Sequence, residues 1–338
     1  MFPYMAIAIE NENPSFDSIH SKVYTEASST MLPKDFEAIS SRQPELLQNA
    51  DAFKATLKYF KIKPGYNLLV KIFHSLGFNL LASTYLPSVI SYFIIGCILM
   101  AWLQRISFPP LYQFTTLVLM ASPFLFTTAR FSSPDMLCAV MSFAGLFILI
   151  EISVLPGLII LSLAITARPD AVIFNIVACL ALYKSKKLNI KRAILFITIS
   201  LISSLSIIHS PQLIKEYFFT NTSYSTEWSS GEVLINYSKS LVAGFNSVLS
   251  SQIILFTFIG AILVYLRKRK GLALMKDMWS LLMIASTTTF IIRYLFHPDV
   301  EDRFLIGCYL IILMGLCVTM GEFLLPRKAN VITLDTLE

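Results

Sequence analysis

The sequence predicts an all-α, polytopic bundle of membrane-spanning helices, and three observations predict it. Only 14% of the 338 residues are charged, where a soluble domain carries roughly a quarter. Mean hydropathy is +0.67, more apolar surface than one soluble core can hide. Long apolar runs recur along the chain, and Lys and Arg gather in alternate connections between them. The expected organisation is a single integral membrane domain over 1–338. It comprises an outer, largely helical segment over 10–80, spans over 81–210, an outer aromatic-rich loop over 211–252, spans over 253–325 and a cytoplasmic tail over 326–338.

The first nine residues are apolar but short, rising roughly 14 Å as a helix against a hydrocarbon core of about 30 Å. They read as the outer end of a first span that starts upstream, or as a stub. The absence of a basic start and of a small-residue cleavage site speaks against a signal peptide. Residues 10–63 are polar and mixed in charge, with Pro14, Pro33 and Pro44 as breaks and short helices expected over 18–27 and 44–59. In the stretch from Lys61 to Asn79, Tyr66, Leu69, Ile72, Phe73 and Leu76 recur at helical spacing, with Lys71 and His74 off the stripe. That pattern is an amphipathic helix lying in the membrane interface, too short and too charged to cross.

Apolar runs follow at 81–103, 111–128, 136–150, 154–166, 171–183, 193–208, 253–266, 278–292 and 304–325. They predict nine spans, or ten with a first span at the N-terminus. Arg105, the cluster Lys184 to Arg192, the cluster Arg267 to Lys276, and Arg327 with Lys328 then fall on one side, which is cytoplasmic by the positive-inside rule. The net charge of +6 is thereby accounted for by orientation, and no nucleic-acid partner is expected. The five cysteines lie inside apolar runs without a C-x-x-C pair and read as small packing residues.

Three span ends on the opposite, outer side bring acids and arginines together. ARFSSPD carries Arg130 and Asp135, ARPD carries Arg168 and Asp170, and RYLFHPDVEDRF carries Arg293, His297, Asp299, Glu301, Asp302 and Arg303. Ionisable groups at membrane depth cost several kcal/mol unless paired or hydrated, so such groups default to functional readings; the bland alternative is ion pairing that closes the bundle ends. Guanidinium groups at an interface suit a phosphate. An apolar groove between spans suits a polyprenyl or acyl tail. A carboxylate within reach suits deprotonation of an incoming hydroxyl. In the outer segment, NPSFDSIHSKVYTEA offers Asp17 for that task.

On these pieces, and on KPGY (Lys63 to Tyr66) followed by LGFN, the chain resembles the GT-C superfamily of multispan glycosyltransferases, which use polyprenyl-phosphate-linked sugars. The resemblance rests on the order of weak motifs over most of the chain. It implies Asp17 as catalytic base and Asp135 as a second acid lining the donor pocket. It implies Arg130, Arg168, Arg293 and Arg303 as phosphate ligands, with Lys63, Tyr66 and His297 as further substrate-binding candidates. No metal or other cofactor is expected, although some relatives use a divalent ion. The implied partners are a polyprenyl-phosphate sugar donor, a lipid or glycan acceptor, and membrane lipids. The implied setting is a bacterial inner membrane with the C-terminus cytoplasmic and the site facing outward. Two other readings stay open: a polymerase of lipid-linked oligosaccharides, and a membrane transporter or flippase.

Overall fold

A computed structural model describes residues 1–12, 15–41, 43–106, 112–208, 230–274, 276–296 and 301–324. His297, Asp299, the aromatic residues Tyr217 to Trp228 and the tail 326–338 therefore lie outside the described residues. Among the described residues every regular element is helical.

The N-terminal segment folds as α1 (Phe2–Ala8), α2 (Phe16–Thr30), α3 (Pro33–Ser40), α4 (Pro44–Gln48), α5 (Ala50–Thr56), α6 (Lys58–Lys61) and α7 (Pro64–Ser75). Ser15 caps α2 through a 3.3 Å bond from Ser18 N. The stripe Ile19, Val23, Tyr24 and Ala27 is buried. Prolines open α3, α4 and α7 at the first helical position, where the missing N–H costs nothing. The single helix expected over 44–59 is three short ones. Asn49 interrupts it by capping α5, accepting from Asp51 N and Ala52 N. In α7, Tyr66, Asn67 and Val70 face the protein, while Leu68, Ile72 and Leu76 stay exposed, as an interfacial helix requires. The segment is tied to the bundle by Glu26, whose carboxylate accepts from Leu80 N at 2.6 Å.

The bundle consists of α8 (Leu80–Arg105), α9 (Tyr112–Met120), α10 (Pro123–Ala129), α11 (Asp135–Glu151), α12 (Val154–Ala167), α13 (Ala171–Lys184), α14 (Ile190–Ile208), α15 (Ser230–Ser250), α16 (Ile253–Arg269), α17 (Met278–Phe296), a 3-10 turn (Asp302–Leu305) and α18 (Ile306–Leu324). Among the described residues four stretches are long and apolar enough to cross a membrane: Leu80–Arg105, Ile190–Ile208, Met278–Phe296 and Asp302–Phe323. A fifth arises if Tyr237–Leu249 and Ile253–Arg269, bent by 69° at their break, form one span. Three of the nine or ten spans expected from the sequence fall short of this length for two physical reasons. The apolar run over 111–128 breaks between α9 and α10, where Pro123 starts a new helix. And α12 and α13, at 14 residues each, rise only about 21 Å.

Side-chain contacts sort the helix ends into two groups. At one end Arg168, after α12, meets Asp135 of α11, and Arg293 of α17 meets Asp170, before α13. At the other, Arg267 of α16 meets Asp277, before α17, and Glu322 of α18. There too the Trp102 indole N–H of α8 donates to Glu151 of α11 at 3.1 Å. The alternation expected from charge thus brings the acid–arginine span ends together, away from the basic connections.

The closest helix pair is α11 with α12. A Cβ on Gly157 would come within 2.5 Å of Leu149 N, and one on Gly145 within 2.9 Å of Leu161 N. Backbone cannot yield as a side chain can, so Gly157→Ala is expected to cost about 2 kcal/mol or more. A fall in the thermal unfolding midpoint in detergent, with Gly77→Ala measured beside it, checks this. The Gly77 site is sterically open but at φ +95°, so its variant reports backbone strain alone.

Candidate functional site

Two proline-stopped turns build the site. Before Pro169, Arg168 is held extended (φ −148°, ψ 117°), as steric contact with a following proline ring demands. This ends α12 and lets Asp170 open α13. Ala171 N donates back to Arg168 O at 3.0 Å, and Ser204 Oγ donates to Pro169 O at 3.2 Å. Pro134 likewise precedes α11, so Asp135 occupies its first turn, where the helix dipole favours a carboxylate. Asp302 fixes the third piece, accepting from Gln252 N at 3.0 Å and from the Tyr309 hydroxyl at 2.6 Å.

The turns converge on a cavity of about 560 Å³ lined by Lys63, Ser133, Asp135, Arg168, Asp170, Arg293, Arg303 and Phe304, with Tyr4 and Phe60 at its side. Arg168 grips Asp170 with both arms of its fork, at 3.0 Å from Nε and 2.9 Å from Nη2, and reaches Asp135 with Nη1. Arg293 pairs with Asp170 from the other side. Arg303 stands 3.6 Å from Asp135 and also pairs with Glu301. The Phe304 ring carries three guanidinium groups, those of Arg168, Arg293 and Arg303, with Cζ atoms 4.2, 4.7 and 5.0 Å from its centroid. Arg293 Nε is buried without a hydrogen-bond partner. Four cationic side chains against two carboxylates leave the lining two positive charges in excess when Lys63 is protonated, an arrangement that attracts anions.

Neither a family model, nor a curated protein, nor a solved structure matches the chain. The chemistry therefore rests on this geometry and on the motifs.

The structure brings Lys63, Asp135, Arg168, Arg293 and Arg303 to one cavity. Tyr66 lies outside it, fully buried, donating to Thr84 O at 2.5 Å and packing edge-on against Tyr4 at 4.6 Å; burial pushes its phenol upward. It supports the cavity wall. Arg130 is exposed, its guanidinium over Phe126. Asp17 is exposed on α2 and does not line the cavity. It lies in the first turn of α2, where Ser15 and Ser18 beside it are exposed as well. His297 lies outside the described residues.

Two residues of the site carried no assigned role in the sequence reading. Asp170 was visible only as the acid of ARPD, and the structure makes it the partner of two arginines. Phe304 is the aromatic residue directly after Arg303, and only the fold assembles three cations on it. Among the described residues no group of three or more His, Cys, Asp or Glu stands close enough to hold a metal ion.

Lys63 reaches the cavity because α7 begins against α12. A Cβ on Gly65 would lie 2.3 Å from Thr166 Oγ1, so only glycine lets the KPG turn approach, and Thr166 is two residues from Arg168. Lys63 Nζ donates to the Tyr4 hydroxyl at 3.0 Å and sits over the Phe60 ring at 4.9 Å. Burial, and next the Arg168 guanidinium, lower its amine to about 7, with Asp135 partly opposing and Arg303 adding to the effect.

Proposed function

We propose that the protein is a membrane glycosyltransferase. It moves a sugar from a polyprenyl-phosphate carrier to a lipid or glycan acceptor, in one in-line displacement at the outer face of the membrane. The observation that carries this reading is the convergence of Arg168, Arg293 and Arg303 on Phe304 in a cavity with excess positive charge. Preorganised guanidinium groups stabilise the charge that develops on a leaving phosphate and bind it by paired N–H bonds. The interfacial helix α7 and the exposed apolar faces of α8 and α14 suit a substrate whose tail remains in lipid. The two carboxylates lining the cavity are engaged by arginines, so their part in this scheme is to hold the cations apart and in place. A transporter would have to open the opposite end as well, where Arg267 locks α16, α17 and α18 together.

The test is release of decaprenyl phosphate from a panel of decaprenyl-phosphate-linked pentoses and hexoses by the purified protein in lipid nanodiscs. Mass spectrometry follows donor and product. The expected result is consumption of at least one donor. Arg303→Ala, chosen because this side chain is partly exposed (30%), is expected to lower release about 100-fold or more while the protein remains folded. Survival of every donor, with no donor shifting the unfolding midpoint, refutes the reading.

A further inference from the structure

We propose that Lys63 is the base of the transfer: its Nζ takes the proton of the acceptor hydroxyl. This rests on the transferase reading of the same cavity. Among the charged side chains of the described residues that line it, Lys63 alone makes no ion pair with another described residue. Asp135 and Asp170 are engaged by Arg168, Arg293 and Arg303, and Arg303 by Glu301 as well. A carboxylate held by guanidinium groups is a poor proton acceptor, since protonation breaks the pair. Asp17 is exposed and outside the cavity. An amine on a flexible stem, whose contacts among the described residues are the Tyr4 hydroxyl and the Phe60 and Tyr4 rings, keeps a lone pair to offer once deprotonated. Burial beside Arg168 brings that deprotonation to about pH 7, where buried lysines serve as bases.

The step balances. The acceptor O–H gives its proton to Nζ, and its oxygen forms the new bond to the anomeric carbon. The bond from that carbon to the phosphate oxygen breaks, and its electron pair leaves with the polyprenyl phosphate. Arg168, Arg293 and Arg303 stabilise the departing anion, and the Lys63 ammonium returns its proton to water. The sign of the pH effect follows. The base must be neutral, so kcat/KM rises about tenfold per pH unit below pH 7 and levels above it. A bound phosphodiester favours the ammonium form, so the corresponding limb of kcat lies at higher pH.

Two measurements test the proposal on the full-length protein in nanodiscs. Without substrate, reductive methylation of Lys63 is followed against pH by peptide mass spectrometry. Half-maximal reactivity is expected near pH 7, against about 10.4 for the lysine side chain of a reference peptide. With a transferable donor, Lys63→Arg keeps the charge and removes the base. It is expected to lower kcat about 100-fold or more with KM within a few-fold, and to lose the limb near pH 7. Lys63→Met is expected to lose the same kcat. Asp17→Asn is expected to leave kcat unchanged. Lys63 titrating with the reference peptide, or Lys63→Arg retaining kcat, overturns the proposal and leaves the transferase reading standing. Absence of transfer by the unaltered protein removes the reaction and the base together.

Discussion

Replacing Arg168 with methionine is expected to abolish anion binding and to destabilise the fold by about 3–5 kcal/mol. Arg168 is only 6% exposed and is shared by two buried acids. Its removal leaves Asp135 with Arg303 at 3.6 Å and takes from Asp170 one of its two arginines. Most of the loss is therefore the penalty of a buried charge short of its partner, and a second substitution separates that from function. Asp135→Asn combined with Arg168→Met is expected to recover part of the unfolding midpoint and none of the stabilisation that decaprenyl phosphate gives the unaltered protein. Equal recovery of both would mean that Arg168 serves packing only.

Arg267→Leu is expected to cost a similar amount, about 3–5 kcal/mol, and to leave the cavity's chemistry untouched. Arg267 is 2% exposed. It bonds Asp277 through Nε at 2.6 Å and Nη2 at 2.8 Å, Glu322 at 3.1 and 3.3 Å, and Thr319 Oγ1 at 3.3 Å. Without it Asp277 keeps Ser280, whose backbone N–H and hydroxyl both donate to its carboxylate. Donor release per folded molecule is expected to match the unaltered protein, while thermal unfolding in detergent falls by many degrees. A matching loss of activity per folded molecule would show that the two bundle ends communicate.

The contrast between these two arginines marks how much of the molecule was legible in its sequence. Which end each belongs to followed from alternating apolar runs and from the bias of Lys and Arg, and the structure groups the same span ends. The motifs that place Asp135 and Arg168 were legible because proline beside a charged residue fixes a turn locally. Asp17 shows the limit of motif reading. Its neighbours suggested a role, yet it is exposed in the first turn of α2 and lines no part of the cavity. The break between α9 and α10 was signalled by Pro123 and masked by uninterrupted apolarity. The free amine of Lys63 was not legible at all. It depends on Gly65 meeting Thr166 and on arginines supplied by distant helices, none of which periodicity encodes.

Phe304 has a consequence of its own. Three like charges that would otherwise push one another apart gather on a single electron-rich ring, so their placement depends on one side chain as well as on the two carboxylates. Damage at that position cannot be local: an aliphatic replacement would loosen all three grips together, and single arginine losses would cease to add. Tolerance at 304 should accordingly follow ring shape, with tyrosine accepted and leucine refused.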